Sequence, residues 1–289
     1  MARIKSAFER WTEQPWTDGD GLHNDIFVAT CFLIEEGQTE DSIFEILRNA
    51  ANEVDERHVP DRELRSAINY AIAKKDGNVV SISRPAVDPA FQQEVISCHT
   101  PNMDLLRHNA QNFDQNPVSY LKQLYRPGEL ICAAADTWNW QTLPLEELLT
   151  IASKYRLEFI NPSPMSAYSG VTLEGKTSTH CIENTGPRIY LAIEFDMATI
   201  EQQVSFHKFL STRFPLVLLL FSGNKSIHGW YFVENEDADK INRFFDLACL
   251  LGADPKTWGI SQFVRMPGGW NNKVEINQKV LYFNPTRRI

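Results

Sequence analysis

The stretch RIYLAIEFDMATIEQQVSFHKFLSTRFPLVLLLFSGNKSIHGWYFV, residues 188–233, decides the fold of this chain. It contains three apolar runs of strand length, at residues 188–195, 216–221 and 227–233. Residues 200–213, between the first two runs, are predicted to form a helix. Strand, helix, strand and strand in succession predict helices packed on a sheet, which is typical of an α+β or α/β core.

The same alternation of strand-like and helical segments extends through residues 129–289. Further strands are predicted at 130–134, 263–266 and 280–283, and further helices at 144–154 and 237–251. Residues 162–187 are rich in Ser, Thr, Gly and Pro, which predicts a long functional loop or a small hairpin excursion. We assign the chain to the α+β class, with a core of mixed sheet and packed helices over residues 129–289.

The N-terminal part of the chain has a different pattern. From Gly21 to about Lys75, apolar residues recur at intervals of three and four, which is typical of helices, and Asp61 is expected to cap the third helix. Residues 1–77 are therefore predicted to be a small all-helical module. Residues 78–128 are predicted to be a linker followed by irregular helices, with a loop near Pro117.

Composition limits the classes of function. The chain has 289 residues, a length that predicts one large domain or two modest ones. No apolar run approaches a membrane span and the start lacks a signal peptide, so we expect a cytoplasmic protein without a membrane partner. Five cysteines without a CxxC pair predict free buried thiols. Because the net charge is −9, any contact with nucleic acid needs a local basic patch.

Two acidic side chains stand at the end of the first strand of residues 188–233. Glu194 and Asp196 are two residues apart, so both carboxylates should project from one face of the strand. Neighbouring carboxylates raise each other's pKa unless a cation lies between them, and Mg²⁺ is a usual partner. The pair is therefore a candidate metal site. The alternative is a strand end whose acids simply face water.

A turn with polar and basic residues follows the second strand. Residues 222–230 read SGNKSIHGW, and a Gly-Asn pair between apolar runs is typical of a tight turn. Such a turn gathers backbone N–H groups, Lys225, and the hydroxyls of Ser222 and Ser226 into a group suited to phosphate oxygens. Ser226 and His228 are two residues apart and can face one ligand. The alternative for His228 is a structural core histidine.

Further candidates lie nearer the C-terminus. Asp254 comes just after a predicted helix and is either a third acid or a turn aspartate before Pro255. Arg265 ends a predicted strand before a Pro-Gly-Gly break, so its guanidinium could bind a phosphate in a forked geometry.

In order, Glu194-Phe195-Asp196, Ser226-Ile227-His228, and Asp254 followed by Arg265-Met266-Pro267-Gly268 resemble the three motifs of the archaeo-eukaryotic primase superfamily. The chain most resembles the primase-polymerase enzymes of phages, plasmids and other mobile elements, over roughly residues 129–285. The N-terminal helices are similar to the small helical modules that accompany such primases. Those modules usually follow the catalytic domain, whereas here the helices precede it.

The resemblance implies a metal-dependent DNA primase and polymerase that joins nucleoside triphosphates on a single-stranded DNA template. It implies three acids that hold Mg²⁺ or Mn²⁺, namely Glu194, Asp196 and Asp254. It implies a nucleotide-binding set made of Ser222, Lys225, Ser226, His228, Arg265 and Lys273. A separately encoded helicase is an implied partner, because the chain has no G-x-x-x-x-G-K-[ST] motif.

Two other functions stay open on sequence alone. A catalytically silent module of the same fold could bind nucleotide or nucleic acid in replication or defence, and a two-metal nuclease or nucleotide hydrolase could use the same carboxylates. Two departures from the family pattern bear on this choice. Glu194 stands where aspartate is common, and the turn reads Ser-Gly-Asn-Lys where the family has two glycines. We expect the second change to be tolerated because asparagine accepts left-handed backbone angles.

Overall fold

A computed structural model of the chain describes residues 22–54, 61–75, 84–136, 139–172 and 175–285. These belong to two compact units, Met1–Ser83 and Arg84–Ile289. The predicted α+β class is confirmed, since helices and antiparallel sheets both occur. Residues 78–83 of the predicted linker lie outside the described residues. The remainder of the predicted connection, from Arg84 onwards, belongs to the second unit.

The described residues of the first unit form three helices, as the apolar periodicity predicts. They are α1 (Leu22–Glu35), α2 (Glu40–Val54) and α3 (Asp61–Lys75). The residues at intervals of three and four form one core, in which Ile26, Leu47 and Leu64 are fully buried. Asp61 begins α3 and its carboxylate pairs with Arg48 of α2.

The helices of the second unit begin soon after its first residue. They are α4 (Pro89–Cys98), α5 (Met103–Asn112), α6 (Pro117–Leu124), α7 (Leu145–Ala152), α8 (Ile200–Leu210) and α9 (Ala238–Leu250). The predicted loop near Pro117 is wrong, because Pro117 is the first residue of α6. Asn116 caps this helix by accepting from Val118 N. Proline suits the first helical position, where its missing N–H has no partner to lose.

In the described part of the second unit, the strands form two four-stranded sheets and two hairpins. In chain order they are β1 (Leu130–Ala134), β2 (Trp140–Pro144), β3 (Phe159–Ile160), β4 (Gly170–Val171), β5 (Thr177–Ser178), β6 (Tyr190–Phe195), β7 (Leu216–Phe221), β8 (Ile227–Phe232), β9 (Val264–Arg265), β10 (Trp270–Asn271), β11 (Ile276–Asn277) and β12 (Lys279–Phe283). The first sheet has the order β2-β1-β3-β9 and the second β12-β7-β8-β6. The hairpin β4–β5 lies within residues 162–187 and confirms the predicted excursion.

The sheets differ from the mixed sheet that we expected. Every strand pairing among the described residues is antiparallel. The physical reason lies in the second sheet, where β6, α8 and β7 follow one another along the chain. β8 pairs with both β6 and β7, so it separates two strands that run in the same direction and would otherwise form a parallel pair.

The two faces of the second sheet are buried against different layers. Alternate residues such as Tyr190, Ala192 and Trp230 pack towards the first sheet and α6 and α7. The residues between them, such as Leu191 and Ile193, pack against α8 and α9. Glu194 continues the first of these two series, so its side chain lies at the end of the core between the sheets.

Two expectations from composition concern the state of the cysteines and the presence of membrane-spanning segments. None of the five cysteines forms a disulfide, as predicted. Only Cys132 and Cys249 are buried and Cys98 is exposed, so the expectation of buried thiols holds for part of the set. Within the described residues, no helix combines the length and the apolar character needed to cross a membrane.

Candidate functional site

The register between β6 and β8 places an acid opposite a histidine. Glu194 is the partner of His228 across the two strands, and Glu194 Oε1 lies 3.3 Å from His228 Nε2. His228 is buried, and its Nδ1 has no hydrogen-bond partner among the described residues. Because the Nε2 atom also lies 3.3 Å from Ser226 Oγ, the ring is held from the side that faces Glu194. His228 is therefore buried like a core histidine, but its ring also contacts Glu194, a candidate metal ligand.

The two carboxyl groups of β6 and the following residue interact directly. Burial raises the pKa of Glu194, but the charge of His228 and hydrogen bonds from His228, Ser226 and Asp196 outweigh it and lower this pKa to about 2. Burial and the negative charge of Glu194 raise the pKa of Asp196, as does a hydrogen bond between the two carboxyl groups. A cation between them would neutralise both groups.

The β7–β8 turn brings a lysine to this pair. Ser222 N donates to Ser226 O at 3.0 Å, and the two serine hydroxyls are 2.9 Å apart. Gly223 provides the left-handed backbone of the turn, with φ +96°, so the expected left-handed role of asparagine falls to glycine instead. The exposed Lys225 side chain places its Nζ 3.8 Å from Asp196 Oδ2. Asp196 and the turn therefore face one another.

A fully buried glutamine, Gln203 of α8, joins the two segments that carry Asp196 and Lys225. Its amide nitrogen donates to Ala198 O and to Lys225 O, both at 2.8 Å, and its amide oxygen accepts from Ile227 N. Sequence reasoning missed this residue. The sequence signal was a glutamine on the face of the helix that packs into the core.

A second buried histidine supports β8 from behind. His207 of α8 donates through Nε2 to Ile227 O (3.2 Å), and its Nδ1 hydrogen-bonds Tyr231 Oη (2.9 Å). Its ring occupies the space that a Cβ at Gly229 would need. Burial lowers the pKa of His207 to about 3, so the ring is neutral at physiological pH. Glycine after His228 is thus required by the close approach of α8, a reason that sequence reasoning missed.

The structure brings only the backbone of Asp254 to the other acids. Asp254 N donates to Glu194 O at 2.9 Å, next to a bridge between Phe195 and Ala253. Its carboxylate accepts from Lys256 N and caps the short 3₁₀ helix Pro255–Trp258. Within the ranges that the structure describes, no three His, Cys, Asp or Glu side chains form a group that could hold a metal ion. Asp254 therefore does not complete the predicted set of three acids.

Arg265 lies on the first sheet and forms an ion pair with a buried carboxylate. Its Nη1 donates to Oε1 of Glu158, a buried side chain directly before β3, and the guanidinium lies 4.7 Å from the centre of the Phe159 ring. Sequence reasoning missed Glu158, which stands in no motif. The predicted phosphate ligand is thus already held by an ion pair.

The hairpin β10–β11 connects Glu158, the partner of Arg265, with the β7–β8 turn. Asn272 Nδ2 donates to Glu158 Oε2 at 2.6 Å, and Asn271 Nδ2 donates to Ser222 O at 2.7 Å. Lys273 is exposed in the turn of this hairpin, where its backbone N–H donates to Asn271 Oδ1. A chain of polar contacts therefore runs from His228 through the serines and the hairpin to Arg265.

Protein-family models, curated proteins and solved structures were compared with this chain. None of them matches it. Function is therefore inferred from the geometry of the described residues.

The arrangement has three chemical capabilities. Glu194 and Asp196 present adjacent carboxylate oxygens, which are the ligands that Mg²⁺ and Mn²⁺ prefer. Lys225 and the N–H groups of its turn offer positive charge next to those oxygens. His228 and Gln203 hold these groups from within the core. The combination suits a substrate that carries several negative charges.

Proposed function

We propose that the second unit is a template-directed nucleotidyltransferase, a DNA primase and polymerase that joins nucleoside triphosphates on single-stranded DNA. One observation carries the proposal. The acid pair of β6, the histidine of β8 and the lysine of the intervening turn lie together, in the order along the chain that the primase-polymerase motifs have. Their juxtaposition depends on the pairing of β8 with both β6 and β7, which short motifs alone do not provide.

Glu194 and Asp196 fit a divalent cation. Their carboxyl groups interact directly, and the raised pKa of Asp196 reflects its burial and also the repulsion from Glu194 that a cation would relieve. These two residues would hold Mg²⁺ or Mn²⁺, with Asp254 as the third acid if its carboxylate leaves the 3₁₀ helix cap. When bound, such an ion supplies positive charge for the phosphate being transferred.

The residues of the chain position the reactants. Phosphoryl transfer needs little covalent chemistry from a protein, and depends on alignment and charge. Lys225 is placed to attract the triphosphate beside the carboxylates. His228 keeps Glu194 ionised and oriented, and its burial behind that carboxylate favours this role over the direct phosphate contact expected from the motif. Gln203 links the backbone of Lys225 to the segment that follows Asp196 through two hydrogen bonds.

The proposed partners follow from the charge of the chain. At a net charge of −9 the surface as a whole repels DNA, so the template would be held locally, near lysine and arginine side chains of the site. A separately encoded cytoplasmic helicase would supply the single-stranded template.

A primer assay tests the proposal. Purified protein is incubated with a single-stranded DNA template, Mg²⁺ or Mn²⁺, and labelled nucleotides of either sugar, with and without a primer. We expect template-dependent products, and a loss on the order of 100-fold or more in Asp196→Asn, because a first carboxylate ligand is removed. Asp239→Asn, an exposed change in α9, is the matched control. Absence of product from the wild type, or equal product from Asp196→Asn, would reject the proposal.

A catalytically silent nucleotide-binding module is the second candidate. The carboxylate of Asp254 favours it, because this group caps a helix instead of joining the other acids. Calorimetric titration with a nucleoside triphosphate and Mn²⁺ separates the two candidates. Binding without any product in the primer assay would support the silent module.

A further inference from the structure

The buried carboxylate of Glu158 lies outside every sequence motif and has no role in the proposed chemistry. Both of its oxygens are used, one by Arg265 and the other by Asn272. Its backbone is equally committed: the N–H donates to Ala134 O, and the C=O accepts from Met266 N and from the Gln278 side chain. Glu158 thus ties together β1, β9 and the hairpin β10–β11.

A carboxylate buried to this extent is costly unless its charge is paired and its oxygens accept hydrogen bonds. Arg265 provides the opposite charge and Asn272 satisfies the second oxygen. Because the amide of Asn272 also donates to Ala135 O at 2.8 Å, the hairpin has two attachments on the side of the first sheet. Loss of the carboxylate would release both Arg265 and one of these attachments.

The opposite side of the hairpin contacts the β7–β8 turn. Asn271 donates to Ser222 O, and a Cβ at Gly223 would lie 2.8 Å from Ile276 Cγ1. The hairpin that carries Lys273 is therefore fixed between Glu158 on one side and the turn that carries Lys225 on the other. Displacement at Glu158 would change the distance between the two lysines.

We propose that Glu158 is a positioning residue for triphosphate binding. It holds Arg265 and the hairpin that carries Lys273 in register with the Lys225 turn, and does not touch the nucleotide. This role rests on the proposed function, since it concerns the same site. The proposed role also predicts the direction in which triphosphate affinity changes when the Glu158 carboxylate is removed. A carboxylate that only neutralised Arg265 would weaken phosphate binding, so its removal would tighten it, whereas removal of a positioning residue weakens binding.

The test compares affinities for a nucleoside triphosphate and for the matching monophosphate, each with Mn²⁺, by calorimetric titration of the full chain. In Glu158→Gln we expect the Kd for the triphosphate to rise about 10-fold or more, and the Kd for the monophosphate to stay unchanged. In the primer assay KM should rise with little change in kcat. The charge-matched control is Glu234→Gln, which removes a carboxylate paired with Arg126.

A second variant keeps the test valid if Glu158→Gln fails to fold. Asn272 is exposed, so Asn272→Ala removes both attachments of the hairpin to the first sheet at little risk to the core. It should weaken triphosphate binding about threefold or more, whereas Asn277→Ala, on the same hairpin, should have no effect. A wild type that binds no triphosphate would reject both the proposed function and this role. Unchanged or tighter binding in Glu158→Gln and Asn272→Ala would reject the role of Glu158 alone.

Discussion

Two acid–base pairs at the ends of the two sheets have opposite orientations. In the second sheet the base is buried and the acid faces outward: His228 is 2% exposed and Glu194 23%. In the first sheet the acid is buried and the base faces outward: Glu158 is 6% exposed and Arg265 21%. The buried member of each pair fixes the outer one. The same interaction thus presents a negative group at one place and a positive group at the other, as metal and phosphate recognition respectively require.

The largest effect should come from removing the outer acid. Glu194→Gln keeps the shape of the side chain but removes the charge that a divalent cation needs, so we expect kcat/KM to fall on the order of 100-fold or more. Glu158→Gln should instead act mainly on KM. Steady-state primer extension by the two variants measures the difference. Equal kinetic effects in both would show that the two carboxylates do not have different roles.

A smaller effect is expected from the buried base of the second sheet. His228→Gln removes the positive charge that lowers the pKa of Glu194, while burial, which raises that pKa, remains. Because the reaction needs an ionised Glu194, the acidic limb of the pH–activity profile should move to higher pH, with a loss of about 10-fold at neutral pH. His108→Gln, an exposed substitution, is the control. An unshifted acidic limb would contradict the role assigned to His228.

The smallest effect is expected at Gly229 of β8, where the His207 ring of α8 packs against the strand that carries His228. Gly229→Ala would place a methyl group in the His207 ring, so α8 or β8 must move. We expect the free energy of unfolding to fall by about 1–3 kcal/mol. Chemical denaturation measures it, with Gly259→Ala as the control, since a Cβ there meets only ordinary contacts. A stability equal to that of the control would mean that His207 does not brace β8.

Sequence reasoning recovered the elements with long apolar runs. β1, β7 and β8, and helices α8 and α9, lie where periodicity predicts them, because each has enough apolar residues to show a period. The strands β2, β3, β10 and β11 were missed. Each of the last three is only two residues long, and β2 contains a tryptophan, a glutamine and a proline at exposed or half-buried positions. Such strands exist because neighbouring strands supply their hydrogen bonds.

For the site, the sequence by itself determined the local pairs: Glu194 with Asp196, and Ser226 with His228. Residues two apart in a strand must share a face, so these neighbours were predictable. Only the tertiary structure decided that Glu194 lies opposite His228 and that Arg265 has a buried partner. Those facts depend on strand register and on contacts between residues 34 to 107 positions apart, such as Glu158 with Arg265, which no local pattern encodes.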